Sequence, residues 1–329
     1  MKLRWLVCAA ALALVACDRS AADAPIPDQW RGIDVTTTAV DFGAESAGRL
    51  RFRGGLELQS DHDGFGGLSG MEALDHDRLL AISDNGDWFD ARLVLNEAGD
   101  LTSAVDWRIA MMRDEDGEPF EDKESGDSED LAQLPDGRFA VSFEQTQTIR
   151  IYDLNRDGPF GAATAGPPLA ETSSMRDNVG LEAIAAADDG ALIVGAEGRE
   201  VTAPIWRTTI DARAPVAPIA RYPLTNGYSL TSLDRLPDGG FVALERFFAP
   251  VIGPRARITR FVLDGEGAIG EVEELAALAP PMPVDNFEAI AAVRMPDGAL
   301  RLYILSDDNF NARQRTLLLA FDVTEPARR

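Results

Sequence analysis

Cysteine and histidine are scarce in this chain of 329 residues, and long apolar runs are confined to its start. Both cysteines, Cys8 and Cys17, lie within the first 17 residues, so the remainder has no thiol for a disulfide bond, a zinc site or a nucleophile. The two histidines, His62 and His76, are fewer than zinc and copper sites commonly use. Beyond residue 16 the apolar stretches last only four to eight residues, which predicts strands and no helical pattern.

Lysine is also nearly absent, because Lys2 and Lys123 are the only two, and almost all positive charge is arginine. The formal net charge is −24. Such a surface repels nucleic acid and anionic lipid head groups. A polyanionic substrate could approach only where a bound cation or an arginine cluster reverses the local field.

The N-terminus has the features of a bacterial export signal. Lys2 and Arg4 precede an apolar run, Leu6 to Ala16, that is too short to cross a bilayer. The run ends in Leu-Val-Ala-Cys, which resembles a lipobox and predicts cleavage before Cys17 and acylation of that residue. We therefore expect a signal peptide (1–16), a tether (17–30) and one folded domain (31–329). A plain secretory signal with a chance cysteine is the alternative.

One pattern occurs five times, at 67–87, 127–145, 179–198, 228–247 and 286–309. Each copy has a short apolar strand, a turn rich in Pro, Asp and Gly, and a second apolar strand that ends at an acidic residue or Asn. Third and weaker fourth strands follow the copies. A period of about 50 residues with four antiparallel strands per unit predicts an all-β fold, a β-propeller.

The pattern leaves two blade counts open, five and six. Five copies predict five blades, but the two N-terminal segments 33–42 and 49–58 also look like strands and leave room for a sixth. The simpler interpretation is that these segments complete the last blade, so that the N- and C-terminal strands close the ring. Closure would remove exposed sheet edges.

Two columns of residues appear when the five copies are aligned by their turns. The first strand opens at Ser69, Glu129, Glu182, Thr231 and Glu288. The second strand ends at Asp84-Asn85, Glu144, Glu197, Glu245-Arg246 and Asp307-Asp308-Asn309. In an antiparallel pair the start of one strand lies beside the end of the next. Both columns should therefore surround one end of the central channel.

Carboxylates in such a ring are ligands for a hard cation, calcium or magnesium. The predicted metal ligands are Asp84, Glu129, Glu182, Glu288 and Asp308, with calcium as the cofactor. The alternative is that these acids cap strand ends within each blade. For an anionic substrate the predicted contacts are Arg246, Arg257 and Asn309, because arginine suits bidentate contact with phosphate or carboxylate. Salt bridges to nearby acids are the competing role of these arginines.

The acidic loop (residues 113–130) holds ten acidic residues against Arg113 and Lys123. Its composition indicates a solvated surface insertion between blades. A lid or a calcium-attracting segment over the channel is the second interpretation.

Several segments resemble the phytase-like family, described as having esterase-like activity of phytase. They are GLSGMEALDHDRLLAISDN, DSEDLAQLPDGRFAVSFE, NVGLEAIA, LERFFAPVIGPRARITRF and NFEAIAAV followed by LYILSDDNF. The resemblance implies a secreted or envelope propeller that hydrolyses phosphoesters or esters. Bacterial β-propeller phytases use calcium and several basic groups, and the near absence of lysine here counts against phytate as the substrate.

Three functions are therefore considered. The first is a calcium-dependent phosphoester or ester hydrolase acting on a small anionic substrate; the second is a non-catalytic binding propeller; the third is a lactonase-like metal enzyme. In each case we expect a monomer in the bacterial envelope, facing the periplasm, held to the membrane only through its lipid, or secreted if the lipobox is not used.

Overall fold

The computed structural model describes residues 29–172, 175, 180–198 and 201–324. The predicted signal peptide, the lipidation site Cys17 and most of the tether lie outside these residues. In the described part, no helix is long and apolar enough to cross a membrane.

The described strands form five antiparallel blades around a central channel. The predicted propeller is therefore confirmed, with five blades and not six. The N-terminal segment contributes β1 (Arg31–Gly32), β2 (Thr36–Ala39), β3 (Ser46–Ala47) and β4 (Leu50–Gln59). The first blade has β5 (Leu68–Ala73), β6 (Arg78–Ser83), β7 (Asp87–Leu95) and β8 (Leu101–Met111). The second has β9 (Ser128–Gln133), β10 (Phe139–Phe143), β11 (Thr148–Tyr152) and β12 (Thr164–Ala165).

The remaining blades follow the same order from the channel outward. The third has β13 (Leu181–Ala186), β14 (Ala191–Ala196), β15 (Thr202–Thr209) and β16 (Ala220–Pro223). The fourth has β17 (Ser229–Arg235), β18 (Phe241–Ala249), β19 (Gly253–Phe261) and β20 (Glu273–Leu278). The fifth has β21 (Asn286–Arg294), β22 (Leu300–Asp307) and β23 (Thr316–Val323), with β4 as its fourth strand. Two one-turn helices, α1 (Lys123–Gly126) and α2 (Leu154–Asp157), lie in loops.

The chain ends close the ring as predicted. Strand β4 pairs with β23, for example Leu56 with Leu318, and β2 and β3 both pair with β4. Strand β1 instead adds to the outer edge of the first blade through β8. The N-terminal segment therefore joins the last blade to the first.

The apolar core is divided into five clusters, one between each pair of neighbouring blades. Strands such as β14 are buried on both faces because each blade is packed between two others. Between the last and first blades, for example, Leu56 and Leu318 pack with Phe89. The continuous apolar strands in the sequence reflect this packing.

Buried acids connect the innermost strands across the channel. Asp130 on β9 is 0% exposed, and its Oδ2 accepts hydrogen bonds from Ile184 N at 3.1 Å, Leu233 N at 3.2 Å and Ser232 Oγ at 3.0 Å. Its Oδ1 accepts one from Leu131 N at 3.0 Å. The inner edge of an innermost strand has no neighbouring strand, so its N–H groups need other acceptors. Asp130 supplies them to the second, third and fourth blades.

Candidate functional site

A β-bulge repeats at the same position of all five innermost strands. In the first blade the regular pairing skips Ser69, between Leu68 and Gly70. The equivalent step skips one residue in the third, fourth and fifth blades and two residues, Glu129 and Asp130, in the second. The residues at the five bulges include one complete predicted column, Ser69, Glu129, Glu182, Thr231 and Glu288. A bulge redirects a side chain away from the sheet. In each blade the bulge therefore determines the direction of the side chain at the start of the innermost strand.

The second predicted column lies beside the first. In each blade, the start of the innermost strand pairs with the end of the second strand, as Asn286 pairs with Asp307 in the fifth blade. Carboxylates from all but the fourth blade consequently interact around one end of the channel. We call these nine residues the acidic rim: Asp84, Asp127, Glu129, Glu144, Glu182, Glu197, Glu288, Asp307 and Asp308.

Burial and repulsion from neighbouring acids raise the pKa of six of the nine carboxyl groups of the acidic rim. Burial, and next the charge of Glu182, raise the pKa of Glu129 well above its usual range. Burial raises the pKa of Glu288 to about 7, although Arg246 opposes the shift. It raises the pKa of Glu144 to about 7 and that of Asp307 to about 8, helped by neighbouring acids. The acidic rim therefore favours either bound protons or a bound cation.

Three carboxylates of the acidic rim come close enough to share one ion. Asp127, Glu129 and Glu144 each place an oxygen within 4.8 Å of the other two. Only Glu129 of these was among the predicted ligands; Glu144 stood in the aligned column, and Asp127 was overlooked because it belongs to the acidic loop. The predicted ligands Asp84, Glu182, Glu288 and Asp308 lie on the same acidic rim, and their ligand role stays a prediction.

Two cations approach the acidic rim from opposite sides. Arg246 Nη1 contacts Glu288 Oε1 at 3.0 Å and donates a hydrogen bond to Asn286 Oδ1 at 2.5 Å. Asn286 Nδ2 also donates to Glu288 Oε1 at 2.7 Å, so the amide orients both charged groups. Lys123 Nζ contacts Asp84 Oδ2 at 2.5 Å and Asp127 Oδ1 at 3.3 Å. Sequence reasoning missed this lysine.

The acidic loop is anchored to the propeller and is more than a solvated insertion. Phe120 packs against Phe143 with ring centroids 5.4 Å apart, and the Arg150 guanidinium lies over the Phe120 ring. Asp122 caps α1, whose first residue is Lys123. A single aromatic residue within an acidic segment was the available signal for such an anchor. Lys123 of this loop contacts Asp84 and Asp127 of the acidic rim, and the second interpretation of the loop, a lid or a calcium-attracting segment over the channel, stays a prediction.

A glycine, Gly67, allows the loop before β5 to approach the acidic rim. Gly67 N donates a hydrogen bond to Asp308 Oδ1 at 3.1 Å. A Cβ at Gly67, where φ is +59°, would lie 2.3 Å from Asp84 Oδ1. Glycine is therefore required there by both conformation and space.

The other predicted substrate contacts are placed differently. Arg257 Nη1 pairs with Glu245 Oε1 at 2.6 Å, and Glu245 is fully buried with Tyr222. The Arg257 Nε also pairs with the exposed Glu274 at 2.7 Å. These contacts hold Arg257 between the third and fourth blades, apart from Arg246. Asn309 is exposed, and its backbone N–H donates a hydrogen bond to Asp307 Oδ1. Anion binding by either residue stays a prediction.

Comparison with known proteins supports the assignment of the chain to one family. Solved structures similar to it include the PQQ-bound aldose sugar dehydrogenase of Streptomyces coelicolor, with 13% identity, a TM-score of 0.41, and 88% of this chain and 99% of that chain covered. A protein of unknown function from Dyadobacter fermentans has 11% identity and a TM-score of 0.45, covering 91% and 96%. The Malassezia sympodialis allergen Mala s 1 has 16% identity and a TM-score of 0.42, covering 90% and 91%.

These likenesses are too distant to indicate an activity, and no curated protein sequence matches the chain. The phytase-like family profile, described as esterase-like activity of phytase, matches residues 63–310. That range contains all five bulges and the whole acidic rim. The chain therefore belongs to the phytase-like family.

Proposed function

We propose that this propeller hydrolyses a phosphoester or related ester with a calcium ion held at the acidic rim. The observation that carries the proposal is the convergence of nine carboxylates with Arg246 and Lys123 at one end of the channel. Acids that served only to cap strands would be satisfied within their own blades. Those of the acidic rim instead repel one another across blades, which supports an enzyme over a binding module.

The donor set fits a hard cation. The acidic rim offers carboxylate oxygens, and the described part of the chain brings neither histidine nor thiol into the Asp127, Glu129 and Glu144 group. Asp84 Oδ1 is buried and has no hydrogen-bond partner among the described residues. Asp84, Asp127, Glu129 and Glu144 would hold the ion, with Glu182 and Glu288 beside them. When bound, calcium would polarise a phosphoryl or carbonyl oxygen and lower the pKa of a coordinated water.

The protein itself would bind and orient the anion. Arg246 has a fixed position, because Asn286 and Glu288 both hold its guanidinium, and arginine can contact two oxygens of a phosphate or carboxylate. Lys123 adds a second positive charge on the opposite side. Together they would offset the repulsion that a net charge of −24 exerts on an anionic substrate. The predominance of carboxylates over Asn is a reason to prefer this function over a lactonase-like one.

Calcium dependence tests the proposal directly. We expect hydrolysis of p-nitrophenyl phosphate or p-nitrophenyl acetate to disappear in EDTA and to return with calcium. Glu182→Gln and Arg246→Met should each lower kcat/KM about 100-fold, since each removes a charge close to the reacting group. The matched control is Glu266→Gln, an exposed acid in the turn between β19 and β20, which should leave kcat/KM unchanged. Equal activity with and without calcium would contradict the proposal.

We also propose that Cys17 anchors the protein to the envelope, facing the periplasm, as a monomer. The lipobox-like sequence Leu-Val-Ala-Cys supports this location. Labelling of cells with radioactive palmitate should mark the wild-type protein and not Cys17→Ser. Label that persists in the variant would contradict the anchor.

A further inference from the structure

A large cavity opens on the same face as the acidic rim, between the last blade and the first. Its volume is about 750 Å³, which is the size of a typical small-ligand site. The N-terminal segment, the loop before β5 and the loop between β22 and β23 form its walls. Asp308 belongs both to the acidic rim and to the cavity wall, so the cavity and the acidic rim are neighbours.

The cavity exists because the packing between these two blades ends short of the rim face. Leu318 and Ala320 of β23 point into the interface between the last and first blades, and Thr316 is the next residue on that side. Thr316 lines the cavity, is 2% exposed, and its Oγ1 has no hydrogen-bond partner among the described residues. An unpaired buried hydroxyl is costly. A ligand that hydrogen-bonds to it would remove this cost.

The charged and polar groups of the wall disfavour two classes of ligand, anionic ligands and purely apolar ligands. Among the residues that the structure describes, four carboxylates line the cavity, those of Asp34, Glu57, Asp61 and Asp308, against one guanidinium, that of Arg315. Arg315 already forms two salt bridges, from Nε to Asp285 Oδ2 at 3.5 Å and from Nη1 to Glu57 Oε2 at 3.9 Å. An anionic ligand would be repelled by this surplus of negative charge. A purely apolar ligand would leave the polar wall without partners.

The remaining groups of the wall suit hydroxyl groups, which both donate and accept hydrogen bonds. Side-chain amides of Gln59 and Gln314 offer donors and acceptors. His62 Nδ1 accepts a hydrogen bond from Gly64 N at 3.1 Å, which leaves Nε2 as a donor in the neutral ring. Phe310 is 46% exposed at the cavity wall and offers an apolar ring face.

We propose that this cavity binds a neutral polyhydroxyl compound of mono- or disaccharide size. Thr316, His62 and the two glutamines contact its hydroxyl groups, and Phe310 packs against its carbon skeleton. Binding of such a compound is inferred from the lining residues of the cavity alone. The further step, that the cavity holds the alcohol part of the ester substrate, rests on the proposed function. The shared residue Asp308 would then place the bound alcohol beside the acidic rim.

Binding of glucose and maltose, measured by calorimetry in EDTA, tests the cavity without the metal. We expect at least one of them to bind the wild-type protein with a Kd of about 1 mM. Phe310→Ala should weaken this binding about tenfold and Thr316→Val about fivefold, as expected for a lost packing surface and a lost hydrogen bond. Val251→Ala shortens an apolar side chain that is 98% exposed in the β18–β19 hairpin, away from the cavity, and should not change the Kd.

Thr316→Val also separates binding from folding. Because valine replaces a buried hydroxyl that has no hydrogen-bond partner in the described part of the chain, the melting temperature of this variant should not fall below that of the wild-type protein. Absence of binding by both sugars, unchanged binding in both cavity variants, or tighter binding of glucose 6-phosphate than of glucose in EDTA would each overturn the proposal. Loss of calcium-dependent hydrolysis with sugar binding intact would instead contradict only the proposed function.

Discussion

Replacement of Asp130 by alanine is expected to lower the free energy of unfolding by about 3 to 6 kcal/mol. The change leaves the N–H groups of Ile184 and Leu233 buried without an acceptor, at about 1 to 3 kcal/mol each, and opens a small cavity. Natural domains are stable by only about 5 to 15 kcal/mol, so the variant should be close to unfolded. Urea denaturation followed by tryptophan fluorescence measures the effect.

Two variants make this result specific. Asp130→Asn keeps the shape and one carbonyl acceptor, so its loss should be about 1 to 2 kcal/mol. Asp136→Ala removes an acid from an exposed turn, where it pairs only with Arg138 among the described residues, and should cost less than about 0.5 kcal/mol. A loss below about 1 kcal/mol for Asp130→Ala would show that Asp130 does not hold the three innermost strands together.

Neutralising the acidic rim is expected to stabilise the metal-free protein. Burial raises the pKa of Glu288 from 4.5 to about 7 and that of Asp307 to about 8, so the folded chain binds these protons more tightly than the unfolded chain. The stability of the metal-free protein should therefore fall as the pH rises from about 4.5 toward 8. The triple variant Glu129→Gln, Glu182→Gln and Glu288→Gln should gain about 2 to 4 kcal/mol at pH 8 in EDTA.

Calcium should reverse this order. It stabilises only a folded state that binds it, by about 2.7 kcal/mol at a hundredfold excess over Kd, and the triple variant has lost the charges needed to hold it. Thermal unfolding of both proteins at pH 5.5 and 8, with EDTA or calcium, gives the comparison, and Glu266→Gln serves as the single-charge control. A triple variant less stable than the wild-type protein in EDTA at pH 8 would contradict the prediction, because it would show that lost contacts such as that of Glu288 with Arg246 outweigh the repulsion among the acids.

The blades were predictable because each one is encoded by residues that are close together in the sequence. Each copy of the pattern encodes two strands and the turn between them, and alternate residues fill the two adjoining clusters. The number of blades, five or six, depends instead on residues that are far apart in the sequence. It depends on the pairing of Leu56 with Leu318, which no spacing in the sequence reveals.

The candidate site was predictable in part for the same reason. The aligned columns identified Glu129, Glu182 and Glu288, because the bulge that positions them recurs in every copy. Lys123 and Asp127 were missed, since a segment rich in charge predicts solvation, and their positions depend on how Phe120 packs. Arg257 and Glu245 lie opposite each other on neighbouring strands of the fourth blade, so their salt bridge is the competing role that the sequence also allowed.

The pairing of β4 with β23 also bears on how the protein is made. Residues 50–59 leave the ribosome long before residues 316–323, by roughly 10 to 50 s at usual rates of synthesis. During that interval β4, a strand of ten residues, can pair only with β2 and β3, and the edge that later meets β23 could pair with other chains. The ring can close only when the last strand is complete, so a chain that stops before residue 316 would leave β4 exposed to aggregation and proteolysis.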